Sequence, residues 1–188
     1  MAVVKASFVK RGKAGNAKAK DTVRYIQHRP DKDNEAITRP LFGSDGPMTR
    51  LEAYQFIDDA PKGTKFFTII INPDPEKEDT HKDLDMRAIT LTTMQTIEEI
   101  ITAQGITTPV IWVAALHDDH TDKNHVHVLA SVQGRLDTPD LDRIREATTN
   151  ACLEQRRELD RALSRQVQEQ KRDGWEPELT VEEDAWGD

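Results

Sequence analysis

Cysteine occurs once in this 188-residue sequence, at position 152, which excludes internal disulfides and with them the small disulfide-stapled folds. Aromatic residues are scarce at 5%, and only two of them are tyrosines, Tyr25 and Tyr54. Chemistry that needs a phenol therefore has two candidates, and stacking on nucleobases has few rings to draw on. No apolar run approaches the roughly 20 residues of a membrane span, so no membrane insertion is expected. The opening MAVVKASFVKRGKAGNAKAK alternates and then turns basic, without the apolar core of a secretory signal. These absences lead us to expect a cytoplasmic protein.

An excess of positive charge is missing too, the net charge being -8, but its distribution matters more than its sum. Residues 1–40 hold ten Lys or Arg against four acids, whereas the last fifteen, GWEPELTVEEDAWGD, hold six acids and no base. The basic segment can meet a polyanion while much of the negative charge sits elsewhere. The length suits one domain with a real core. Periodicity fades from about Asp173, so we expect a domain over 1–172 and a flexible acidic tail over 173–188.

The patterning predicts alternating element types. A strand over Val3 to Lys10 ends at the glycines at 12 and 15, and a helix over Asn16 to His28 repeats Ala19, Val23 and Ile26 before Pro30 stops it. Residues 31–48 read as a loop with at most a short hairpin. Thr49 and Glu52 form a capping-box pattern for a helix over Thr49 to Asp58. Phe66 to Ile71 is β-branched and aromatic, a buried strand. A helix from about Lys82 to Gln104 ends at Gly105. Strands over Val110 to His117 and His125 to Gln133 are close enough to form a hairpin. A long helix opens at Thr138-Pro139, with Leu141, Ile144, Ala151, Leu159, Leu163 and Val167 as its inner stripe. This order gives an α+β fold, an antiparallel sheet with helices packed mainly on one face.

The hairpin holds the densest chemistry. LHDDHTDKNHVHV, residues 116–128, contains four of the six histidines and three aspartates. In a strand His125 and His127 point to the same face, with Val126 opposite. A partner strand ending at His117 can add a third imidazole; His120 competes for that place. Three neutral nitrogens with open coordination positions describe a catalytic metal centre, not a closed structural one. Asp119 follows His117, and Asp122 follows His120, at a spacing from which a carboxylate can orient a ligand ring.

His125-Val126-His127, with a histidine-and-aspartate step just upstream, resembles the HUH endonucleases, and among them the relaxases of plasmids and integrative elements. Relaxases carry their nucleophilic tyrosine before the histidines, whereas rolling-circle initiators and the related single-strand transposases carry it after them. No tyrosine follows His127 here. Tyr25, in VRYIQHR, resembles the relaxase tyrosine on the helix after the first strand, while Tyr54 reads as a packing residue. The likeness covers residues 1 to about 165 in the order of elements. The spacing from His117 to the histidine pair is one residue longer than the commonest pattern, and the strand Phe66 to Asn72 lacks a serine.

The resemblance implies a ferredoxin- or RRM-like sheet with the histidine hairpin at its centre. It implies nicking and religation of single-stranded DNA at an origin of transfer through a 5′-phosphotyrosine on Tyr25. A divalent ion, magnesium or manganese by availability and zinc, nickel or cobalt in vitro, would be held by His117 or His120 with His125 and His127. A phenol with a pKa near 10 needs a base or a positive field; Asp119, Asp122 and His28 are candidates. Lys18, Lys20, Arg24, His28 and Arg29 would contact the DNA, and relaxosome accessory and coupling proteins would be partners. The competing expectations are a metal-bearing accessory module that binds nucleic acid without cleaving it, and a phosphoesterase that uses water as nucleophile.

Overall fold

The computed structural model describes residues 1–31, 33–118 and 123–172. Met1–Arg156 form one compact unit, and a second begins at Arg157. The elements are β1 (Val3–Lys10), α1 (Lys13–His28), β2 (Leu41–Gly43), β3 (Gly46–Met48), α2 (Arg50–Asp59), β4 (Lys65–Asn72), α3 (Met86–Ala103), β5 (Ile111–His117), β6 (His125–Val132) and α4 (Thr138–Arg172). The strands form one six-stranded sheet in the order β1-β4-β6-β5-β2-β3, with every neighbouring pair antiparallel.

Local chemistry explains most of these boundaries. Thr49 and Glu52 close the expected capping box at the start of α2. α3 begins at Met86, four residues later than expected, because Asp85 accepts hydrogen bonds from the backbone N–H groups of Arg87 and Ala88 and so fixes the first turn. Conversely α1 starts three residues early, at Lys13. Gly15 permits this: a Cβ there would stand 1.8 Å from the carbonyl oxygen of Lys10, so only glycine lets the helix fold back so tightly on β1.

The α+β class and the antiparallel sheet centred on the β5–β6 hairpin are as expected, but the helices divide between the two faces. His117 pairs with His125, Ala115 with His127 and Val113 with Leu129, so these six side chains share one face. α1 and α2 lie there, where Val23, Ile26, Ala53 and Ile57 pack with Phe66, Val113, Ala115 and Leu129. The alternate residues Val126, Val128, Ala130 and Val132 are buried just as fully. They face α3, which contacts β6 and is joined to α4 by the buried Thr93–Thr148 hydroxyl contact at 2.9 Å. A strand covered on both sides loses the polar half of its alternation, and β6, HVHVLASV, carries no Lys, Arg, Asp or Glu at all.

The stripe of α4 also differs from the expected one. Its buried residues are Ile144, Thr148, Cys152 and Arg156, at a spacing of four, whereas Leu163 and Val167 are exposed. A buried Thr satisfied by Ile144 O, and an Arg paired with Asp83, can line a helix face as well as leucines do; a count of apolar residues does not see them. No helix among the described residues is long and apolar enough to cross a membrane.

Candidate metal centre

The hairpin register assembles the site. His117 closes β5 directly opposite His125, which opens β6, and His127 lies one pair further in on the same face. The rings crowd together, with centroids 4.6 Å apart for His117 and His127, 5.1 Å for His125 and His127, and 5.3 Å for His117 and His125. All three residues are buried, and one ring nitrogen of each lies within 4.8 Å of the others, a group that could hold a metal ion. Nitrogens about 2.1 Å from a tetrahedral ion stand roughly 3.4 Å apart, so small ring rotations would complete the coordination.

Hydrogen bonds assign the ring protons. The carbonyl of Lys123 accepts from His125 Nδ1 at 3.2 Å, which leaves the lone pair of that ring on Nε2. Nε2 of His117 donates to the carbonyl of Ile26 at 2.8 Å, which leaves its lone pair on Nδ1. That carbonyl is available for a simple reason. In an α-helix Ile26 O would accept from the N–H of residue 30, and residue 30 is proline, which has none.

Burial first, then the neighbouring His117 and His125, then Arg29 and Arg39, push the pKa of His127 down to about 3. Its Nε2 is buried and meets no hydrogen-bond partner among the described residues. A desolvated ring nitrogen without a partner is costly in a plain core, and a neutral imidazole so placed can turn its lone pair to a cation. The residues present fit a metal ion.

Tyr25 stands above this triad. It lies on the last turns of α1, is 50% exposed, and sets its ring edge-on to His127 with centroids 6.2 Å apart. The guanidinium of Arg29, one turn on, sits 5.8 Å from the Tyr25 ring centroid. Buried Arg39 donates to the carbonyl of Arg29 at 2.6 Å, and its backbone N–H donates to Gln27 O at 2.9 Å. Long-range donors thus occupy the carbonyls at the end of α1, and that end is held firmly beside the histidines.

The remaining expected site residues separate. Lys18 and Arg24 are exposed on α1, Arg24 reaching Asp21 at 3.4 Å. Lys20 instead binds Asp58 of α2 at 2.6 Å and lies over the Tyr54 ring, and Tyr54 packs against the core. His28 Nε2 faces the Arg50 guanidinium at 2.9 Å. Arginine only donates, so the His28 proton resides on Nδ1 and is shared between Thr38 Oγ1 and Ile37 O. His120, Asp119 and Asp122 lie outside the described residues, as does the tail 173–188. Sequence reasoning missed Arg39 and the Ile26 carbonyl, although Pro30 signalled the latter. Compared with known proteins, the chain matches no protein-family model and no curated protein.

Proposed function

We propose that this protein is a metal-dependent relaxase: it nicks and rejoins single-stranded DNA, site- and strand-specifically, at the origin of transfer of a plasmid or integrative element. The observation that carries the reading is the placement of the half-exposed Tyr25 ring 6.2 Å from His127, at the rim of a buried three-histidine cluster. A phenol beside such a cluster, with a guanidinium at hand, is a nucleophile facing a place for a phosphate.

A divalent cation bound there would draw electron density from a non-bridging oxygen of the scissile phosphate. The protein's own groups do the rest. His117 and His125 are held in fixed tautomers by Ile26 O and Lys123 O, so each keeps a lone pair for the ion without a proton shift. Arg29 supplies a positive charge 5.8 Å from the centre of the Tyr25 ring and would pair with the phosphate. The Tyr25 oxygen attacks phosphorus as its proton passes to solvent; the bond from phosphorus to the 3′ oxygen breaks, and that oxygen takes up a proton from solvent and leaves as a hydroxyl. A 5′-phosphotyrosine results, so one phosphodiester replaces another and the free 3′ hydroxyl can reverse the step. Exposed Lys18 and Arg24 would follow the DNA backbone.

The test is a denaturing gel of the full chain incubated with manganese and labelled single-stranded oligonucleotides from its host element, comparing wild type, Tyr25→Phe and His127→Ala. A protease-sensitive shifted band in wild type alone is the expected result. Cleavage that persists in Tyr25→Phe without an adduct would make water the nucleophile, and binding without any cleavage would make the protein a non-cleaving module.

A further inference from the structure

β4 carries an amide into the same row as the histidines. Its ladder with β6 pairs Ile70 with His127 and Ile71 with Val126. One step further along both strands sets Asn72 opposite His125, and His125 is itself opposite His117. Side chains directly opposite on an antiparallel pair share a face, with Cβ atoms about 5 Å apart. The row across the sheet therefore reads Val3, Asn72, His125, His117. The carboxamide oxygen of Asn72 is buried and has no hydrogen-bond partner among the described residues. Two buried polar atoms without a hydrogen-bond partner among the described residues, this oxygen and His127 Nε2, thus lie on one sheet face in adjacent rows.

An unsatisfied buried amide oxygen is as costly as an unsatisfied imidazole nitrogen, and neither meets a protein partner among the described residues. A cation answers both. Imidazoles alone favour zinc, nickel or copper, whereas magnesium and manganese favour oxygen donors. We propose that Asn72 lends its carboxamide oxygen to the ion held by His117, His125 and His127, directly or through a coordinated water, and thereby shifts the centre toward oxygen-preferring metals. This rests on the reading of the three histidines as a metal centre.

The experiment is calorimetric titration of the metal-free full chain with manganese chloride and, separately, nickel chloride, for wild type, Asn72→Ala, Asn72→Asp and His127→Ala. The metal-free thermal melt of each is recorded as a fold control. Asn72→Ala is expected to weaken manganese binding about tenfold or more, with nickel changed less than about threefold. Asn72→Asp, which keeps an oxygen and adds charge, is expected to restore or exceed wild-type manganese affinity. The metal-free melting temperature of Asn72→Ala should equal or exceed that of wild type, since the lost oxygen has no partner among the described residues. Wild-type manganese affinity in Asn72→Ala, or equal losses for both metals, would overturn the proposal. If His127→Ala also binds manganese normally, the metal-centre reading falls with it; if only Asn72→Ala does, the histidines stand and Asn72 does not.

Discussion

Replacing His127 with leucine should make the metal-free protein more stable while abolishing its response to metal. His127 is only 6% exposed and buries an Nε2 without a hydrogen-bond partner among the described residues. Removing a desolvated, unsatisfied nitrogen recovers about 1–3 kcal/mol, and leucine is close enough in volume to avoid a large cavity. For a unit of this size each kcal/mol moves the melting temperature by about 2–4 °C, so the metal-free variant should melt several degrees higher at pH 8. The gap should widen in acid. The unfolded imidazole takes up a proton near pH 6.5, whereas in the folded protein it stays neutral down to about 3. Its contribution to stability is therefore complete above about pH 6.5 and is lost as pH falls toward 3, at roughly 1.4 kcal/mol per unit. At pH 5 that is about 2 kcal/mol which the leucine variant does not lose. Metal reverses the order at pH 8: at a thousand times its dissociation constant it stabilises wild type by about 4.1 kcal/mol and the variant not at all. Thermal melts at pH 8 and pH 5, with and without manganese, check all three. A leucine variant that melts lower than wild type at both pH values, or that keeps the metal-induced shift, refutes the reasoning.

Tyr25→Phe removes one half-exposed hydroxyl and should change stability by less than about 0.5 kcal/mol and leave metal affinity intact, while eliminating the covalent DNA adduct on gels. Thr49→Ala breaks the capping box of α2 and should cost about 1 kcal/mol in chemical denaturation, with no change in metal binding. Burial, then Glu78 and Asp79, push the thiol of Cys152 up to about 12, so a thiol reagent at pH 8 should label it only after unfolding; labelling of the native protein would contradict the burial of Cys152.

The histidine triad was legible because strand alternation and a short hairpin are local rules: they suffice to put His125 and His127 on one side and to favour His117 across from them. Tyr25 was legible as a tyrosine near the end of a helix, but its proximity to His127 depends on how α1 crosses the sheet, which no window of sequence contains. Asn72 escaped notice for the same reason. An asparagine before a proline is an ordinary strand end until the β4–β6 register sets it beside His125. The two-sided covering of the sheet was in principle readable, since β6 lacks a charged residue at every position. The stripe of α4 was not, because Thr148 and Arg156 count as polar by composition and are buried only by virtue of their partners.

Pro30 has a mechanical consequence. By withholding an N–H it hands the Ile26 carbonyl to His117, so a ligand ring and the backbone of the residue next to Tyr25 are joined by one hydrogen bond. A helix that ended elsewhere would carry its phenol on a support free to drift relative to the imidazoles. Here the two are yoked: a ring drawn a few tenths of an ångström toward a cation pulls the Tyr25 turn along with it. On the proposed reading, the spacing between the Tyr25 oxygen and an ion held by the histidines would thereby be kept by the scaffold, and a long, flexible substrate would not have to impose it.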